Sequence, residues 1–148
     1  MTGRGTPQGY GSRAEYNIPI INEYRANSAE KGPDERGAGL LLLTTTGARS
    51  GLPRTSPLGY STDAGRLVVV GAKGGTPSHP DWYRNLLANP EVTVEQGSET
   101  FHARATEVTG TERNRLYAQH LGLFPDYRDY EQKTDRVFPV VVLERIDG

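Results

Sequence analysis

The sequence predicts a mainly β protein: an antiparallel, barrel-like sheet with peripheral helices. Three observations carry that expectation. Runs of Leu, Val and Thr recur along the chain at strand length. Short turns and glycine-marked corners separate them, as between antiparallel neighbours rather than across the crossovers of a βαβ sheet. No G-x-G-x-x-G opens a helix after a strand, which argues against a Rossmann nucleotide site.

Taken in order, residues 1–12 read as a flexible leader rich in Gly, Thr and Gln, and 13–148 as a single domain. Arg13 to about Ala29 is expected to be helical, because Tyr16, Ile20, Ile21 and Tyr24 recur at helical spacing; Pro19 interrupts the pattern. Lys31–Gly39 is a linker. Leu40–Thr46 is a strand without alternation, expected to be buried on both faces. Arg54–Ser61 is a second strand, Asp63-Ala64-Gly65 a hairpin turn and Arg66–Ala72 a third strand. Lys73-Gly74-Gly75 breaks that strand. Ser78, with Asp81 three residues on, reads as the cap of a short helix whose apolar face is Trp82, Tyr83, Leu86 and Leu87 and which Asn89-Pro90 stops. Val92–Gln96 and Thr100–Val108 form a hairpin around Gly97-Ser98, with Phe101, Ala103 and Ala105 alternating with polar residues. Thr111–Leu121 is a helix, Phe124–Tyr130 a tyrosine-rich segment, and Phe138–Leu143 the closing strand.

Composition removes several classes of function. Lys+Arg number 17 and Asp+Glu 18, a formal net charge of -1, without the basic excess that nucleic-acid binding requires. The chain has no cysteine, so disulfides, thiol nucleophiles and thiolate metal sites are excluded. His79, His102 and His120 lie far apart with no zinc spacing, and no metal is expected. No apolar run approaches the ~20 residues of a membrane span, and the leader lacks the apolar centre of a signal peptide. The expectation is a soluble, cytoplasmic protein with at most weak membrane-surface contact through its first helix.

Four constellations could carry chemistry. The turn Gly47-Ala48-Arg49-Ser50-Gly51, followed by Arg54, ends a strand with backbone N–H groups and permanent cations at hand. It reads either as an anion cradle or as an exposed hairpin with solvated arginines. Ala72-Lys73-Gly74-Gly75 has the same physics: a cation and freed amides at a strand end. Trp82, with Asn85 behind it, is either core or an aromatic wall beside a planar ligand. Tyr127 and Tyr130, three apart, would share a helix face; they could stack on a substrate and donate a proton, or only cover a helix interface. Asp126 and Asp129 read as surface groups paired with Arg128 and Arg136. Anion anchors and aromatics without a nucleophile or metal suit a protein whose cofactor brings the reactivity.

The blocks LLLTTTGARSGLPRTSPLGY, LVVVGAKGG, HPDWYRNLLANPEVTV and PDYRDYEQKTDRVFPVVVLER stand in order between about Leu40 and Arg145. Together they resemble the deazaflavin-dependent (F420-dependent) nitroreductase family of the split β-barrel, flavin-reductase-like superfamily. The resemblance implies an FMN-binding split-barrel-like fold. It implies coenzyme F420, whose phosphodiester, lactyl carboxylate and polyglutamate tail make it a polyanion. It also implies hydride transfer from reduced F420 to a small electron-poor molecule: a quinone, enone or nitroaromatic. Its cofactor contacts fall on Arg49, Ser50, Arg54, Pro57, Ala72, Lys73, Gly74, Trp82 and Asn85. Its substrate-side aromatics fall on Phe124, Tyr127 and Tyr130, with the two tyrosines as candidate catalytic acids. Four positions depart from the family's usual pattern: Ser50 stands for Lys, Gly59 for Tyr, Ala72 for Ser and Phe124 for Tyr. These changes leave the arginine and backbone contacts in place and alter the substrate pocket. Two alternatives remain beside this expectation, an FMN-dependent split-barrel reductase and a non-catalytic F420 carrier. Relatives of this fold are often homodimers.

Overall fold

The computed structural model describes residues 14–27 and 38–146, with side chains from residue 17. The expected leader and most of the expected linker lie outside the described residues. The elements are α1 (Ala14–Ala26), β1 (Gly39–Thr46), β2 (Pro53–Asp63), β3 (Arg66–Val70), α2 (Asp81–Ala88), β4 (Glu91–Gln96), β5 (Glu99–Val108), α3 (Gly110–Leu123), α4 (Asp126–Glu131) and β6 (Val140–Arg145). The six strands close into an antiparallel barrel in the order β1-β2-β3-β6-β5-β4, so the sheet has no free edge.

The two faces of each strand explain its sequence. Leu41 and Leu43 fill the barrel interior with Val69, Val94, Phe101, Ala103 and Leu143. Leu42 points the other way and packs on Ile21 and Tyr24 of α1, which is why β1 does not alternate. The valines of β3 and β6 divide likewise. Val69 and Val141 face inward, while Val68, Val70, Val140 and Val142 lie under Leu116, Tyr117 and Leu121 of α3. The outward residues of β5, His102, Arg104 and Thr106, are exposed. The Tyr24 hydroxyl fixes α1 by donating to the Leu40 carbonyl at 2.9 Å and accepting the Gly97 N–H at 2.9 Å. Pro19 lies inside α1 without ending it.

Three expectations are corrected. Ser78 does not cap α2; the residue before that helix is Pro80, with extended backbone, and no side chain caps it. Proline's fixed φ sets up the first turn without a donor of its own, so the helix starts after it. The Ser78 hydroxyl instead accepts a hydrogen bond from Lys73 Nζ at 3.3 Å. Leu87 is off the buried face of α2 and 57% exposed, because a 3.6-residue period groups it away from Trp82, Tyr83 and Leu86. The last strand begins at Val140 rather than Phe138. Pro139 has no N–H to give the ladder, and the Phe138 carbonyl is taken by Arg113 Nη2 at 2.7 Å.

Candidate functional site

The hairpin turn between β1 and β2 is built by its own backbone. The Gly47 N–H donates to the Leu52 carbonyl at 2.8 Å, and the Gly51 N–H to the Gly47 carbonyl at 2.9 Å. Gly51 has φ of 72°, a left-handed value that favours glycine. The Ser50 hydroxyl is spent inside the turn, accepting the Leu52 N–H at 3.1 Å. Asn85, reaching over from α2, holds the turn from below. Its Oδ1 accepts the Ala48 N–H at 2.9 Å and its Nδ2 donates to Thr45 Oγ1 at 3.1 Å.

Above this scaffold lies a cavity of about 870 Å³, into which Arg49, Arg54, Trp82 and Asn85 face together with Ser50 and Thr55. Trp82 is almost wholly buried, so it forms the cavity wall and part of the barrel core at once. Among the described residues neither Arg49 nor Arg54 meets a carboxylate, whereas Arg84 at the same cavity is 3.5 Å from Asp81. With Asp81, a carboxylate on the lining, beside Arg84, two guanidinium groups without an ion pair among the described residues remain as donors a polyanion can use. The residues present therefore fit an elongated anionic cofactor.

Pro57, Ala72, Lys73 and Gly74 do not line this cavity. Pro57 lies further along β2, and Ala72, Lys73 and Gly74 lie in the connection from β3 to α2. Lys73 (φ 48°) and Gly74 (φ 62°) are both left-handed, which makes the sharp corner after β3. The pairing of Ser61 with Val68 turns β3 back along β2 toward Arg54, and residues 76–80 then lead directly to α2. Ala72 is buried in the apolar layer between α3 and the outer faces of β3 and β6, against which the partly buried Tyr127 and Tyr130 pack. Alternation along β2 places Thr55, Pro57, Gly59 and Ser61 in one row. That row runs from the cavity (Thr55) to Phe124, the ring a side chain on Gly59 would meet.

Phe124, Tyr127 and Tyr130 form one aromatic group, with Phe124–Tyr127 ring centroids 6.1 Å apart and Tyr127–Tyr130 centroids 5.4 Å apart. The sharing of a face by the two tyrosines is as the spacing predicts. Burial raises the Tyr127 pKa above its ordinary value, so its phenol stays protonated near neutrality and has a proton to donate.

Sequence reasoning missed His120, fully buried behind this group. Its ring lies 4.7 Å from that of Phe124 and 5.1 Å from that of Tyr127. Nδ1 shares a 2.9 Å hydrogen bond with Ser61 Oγ, while Nε2 has no partner among the described residues. Burial drops its pKa to about 4, so the imidazole is neutral. A histidine isolated in sequence carries no signal of this; only the packing of α3 on β2 reveals it. Arg136 was also misread. Among the described residues no ion pair links it to Asp126 or Asp129, and it binds backbone carbonyls instead.

A six-stranded closed barrel with a basic cavity on its flank defines a split-barrel cofactor-binding protein. The F420H(2)-dependent quinone reductase family matches residues 19–145, and the chain belongs to that family. An F420H(2)-dependent quinone reductase of Mycobacterium tuberculosis (strain ATCC 25618 / H37Rv) is 39% identical over 110 residues, covering 71% of this chain and 72% of the relative. A solved F420-H2 dependent reductase (FDR-A) is 40% identical, with TM-score 0.65 over 71% of this chain and 93% of its own. A structure described as a domain-swapped dimer is 33% identical, with TM-score 0.68 over 89% of this chain and all of its own. The family makes the cofactor F420 and the class an F420-dependent reductase, in preference to the FMN enzyme and the non-catalytic carrier. No helix among the described residues is long and apolar enough to cross a membrane.

Proposed function

We propose that this chain reduces a quinone with reduced F420, held between the Arg49–Arg54 cavity and the Lys73 turn. When bound, reduced F420 supplies a hydride and brings a phosphodiester and a polyglutamate tail. Arg49 and Arg54 take the phosphate and tail. Lys73 and the Gly74 amide lie toward the phosphate or the ring edge. Trp82 forms the wall, and Pro57 and Ala72 border the ring. Ser50 and Asn85 act through the hairpin turn, whose amides they order. Phe124, Tyr127 and Tyr130 receive the substrate, and Tyr127, Tyr130 or water gives the proton that completes the hydroquinone. Such a site works by holding donor and acceptor in contact, at roughly 3–3.5 Å. The homodimer expected from the fold is supported by the domain-swapped relative, and light scattering on the pure protein tests it.

The observation that carries this reading is the facing of Arg49 and Arg54 into one cavity where, among the described residues, neither pairs with a carboxylate; Asp81 on the same lining stands 3.5 Å from Arg84 instead. Titration of F420 into the wild-type protein, Arg49→Ala and Arg54→Ala tests it. Each variant should bind roughly tenfold more weakly, with the wild-type affinity falling as salt rises. Equal affinities in all three would defeat the assignment.

A further inference from the structure

Arg136 stands between α4 and β6, and its guanidinium enters the bend of residues 71–79. Nη1 donates to the Gly71 carbonyl at 2.8 Å, Nη2 to the Ala72 carbonyl at 2.6 Å and Nε to the Thr76 carbonyl at 3.1 Å. Nη1 also lies 2.9 Å from His79 Nδ1. Arginine can only donate, so His79 Nδ1 accepts and the ring proton of neutral His79 is on Nε2. The flat face of the guanidinium rests over Phe138, 4.9 Å from the ring centroid. The planar fork is thus satisfied by the backbone of one loop and by one imidazole.

The consequence for the loop follows from peptide geometry. In a trans peptide the C=O and the next N–H point in opposite directions, and the described chain has no cis bonds. With the carbonyls of Gly71 and Ala72 drawn to Arg136, the N–H groups of Ala72 and Lys73 point away from it. The guanidinium also neutralises three carbonyl dipoles that would otherwise oppose an anion beside Lys73. A second tie reinforces the first. A Cβ on Gly75 would stand 2.5 Å from the Tyr130 carbonyl oxygen and 3.0 Å from its Cα, so the loop and α4 touch backbone to backbone there.

We propose that Arg136 is a positioning residue for cofactor binding. It holds the carbonyls of Gly71, Ala72 and Thr76 inward and presents the Ala72 and Lys73 amides to the anion. The proposal rests on the reading that F420 binds at the Lys73 turn.

The test compares Arg136→Ala and Arg136→Lys with Lys73→Ala and Arg54→Ala. Amide hydrogen exchange in the ligand-free protein should speed up at residues 72–76 in Arg136→Ala and stay unchanged at the Gly47–Gly51 turn. F420 should bind Arg136→Ala roughly tenfold more weakly or worse. Millimolar methylguanidinium should restore part of that affinity and protection, which a general loss of stability would not allow. Arg136→Lys keeps the charge and most of the bulk, and so tests the fork in a protein expected to fold even if the alanine variant does not. It should bind weakly too, since an ammonium cannot reach three carbonyls in one plane. Wild-type affinity and exchange in Arg136→Lys, with weak binding in Lys73→Ala, would overturn the Arg136 role alone. Unchanged binding in Lys73→Ala and Arg54→Ala would remove the site reading and this proposal with it.

Discussion

The ring of Phe124 occupies the place of a side chain on Gly59: a Cβ built there would be 3.0 Å from Phe124 Cε1 and 3.2 Å from Cζ. One aromatic group from the end of α3 thus covers the strand position that has none of its own. Phe124→Ala should cost about 1–2 kcal/mol, as a half-buried phenylalanine loses only part of a core ring's contribution. It should change relative kcat/KM across quinones and enones while leaving F420 affinity within about twofold. Combining it with Gly59→Tyr should restore part of the original preference. Unaltered kcat/KM ratios in Phe124→Ala would show that this ring does not shape the pocket.

Tyr127→Phe and Tyr130→Phe address the proton donor. Neither substitution removes a ring, so the aromatic contacts at 5.4 Å should persist. F420 titrations should match wild type. Steady-state turnover of the double variant should fall by ~100-fold if a phenol is the acid. Full turnover would assign the proton to water.

Asn85 is a structural claim with a functional consequence. Asn85→Ala removes an acceptor from the Ala48 N–H and a donor from Thr45 Oγ1. Losing these buried partners should cost about 1–3 kcal/mol in urea denaturation. F420 binding should weaken as well, because the turn carrying Arg49 loses its support. A loss of stability with wild-type F420 affinity would confine Asn85 to the core.

His120 should make stability depend on pH. Its native pKa is lowered by burial to about 4, while an unfolded histidine titrates near ~6.5. Between these values the unfolded chain binds a proton that the native one does not. Stability is therefore full above pH ~6.5 and falls as pH drops toward pH ~4, by an amount on the order of 3 kcal/mol. His79, also lowered by burial and by Arg136, adds to the same slope. Asp63 acts in a lower window: Arg115 and Arg66 hold its pKa down to about 2, so its stabilisation is lost only as pH falls below ~4. Urea midpoints at pH 4.5 and 7.5 should differ much less in His120→Gln than in wild type. Equal differences would place the acid sensitivity elsewhere.

Strand runs, turn glycines and periodicity were legible in the sequence because they are local. β1, the hairpin at Ala64-Gly65 and the alternation of Phe101, Ala103 and Ala105 all fall where backbone preference and a two-residue period place them. The basic residues of the hairpin, Arg49 and Arg54, were legible too, as charge next to glycine. The start of α2 misled, since Ser78 carries a cap signal that Pro80 overrides.

What the sequence by itself determined was the set of strands, their antiparallel turns and the two cationic corners. Tertiary structure alone decided which of these meet. Barrel closure brings Asn85 under the hairpin, lays Phe124 over Gly59, buries His120 behind the tyrosines and turns Arg136 from a surface charge into the brace of the Lys73 loop. The contacts of Asn85 and Arg136 join residues at least 37 apart in the chain, and His120 is held by Ser61, 59 residues away. Local propensity carries no information about such pairs, because it is the packing of apolar faces around the barrel that brings them together.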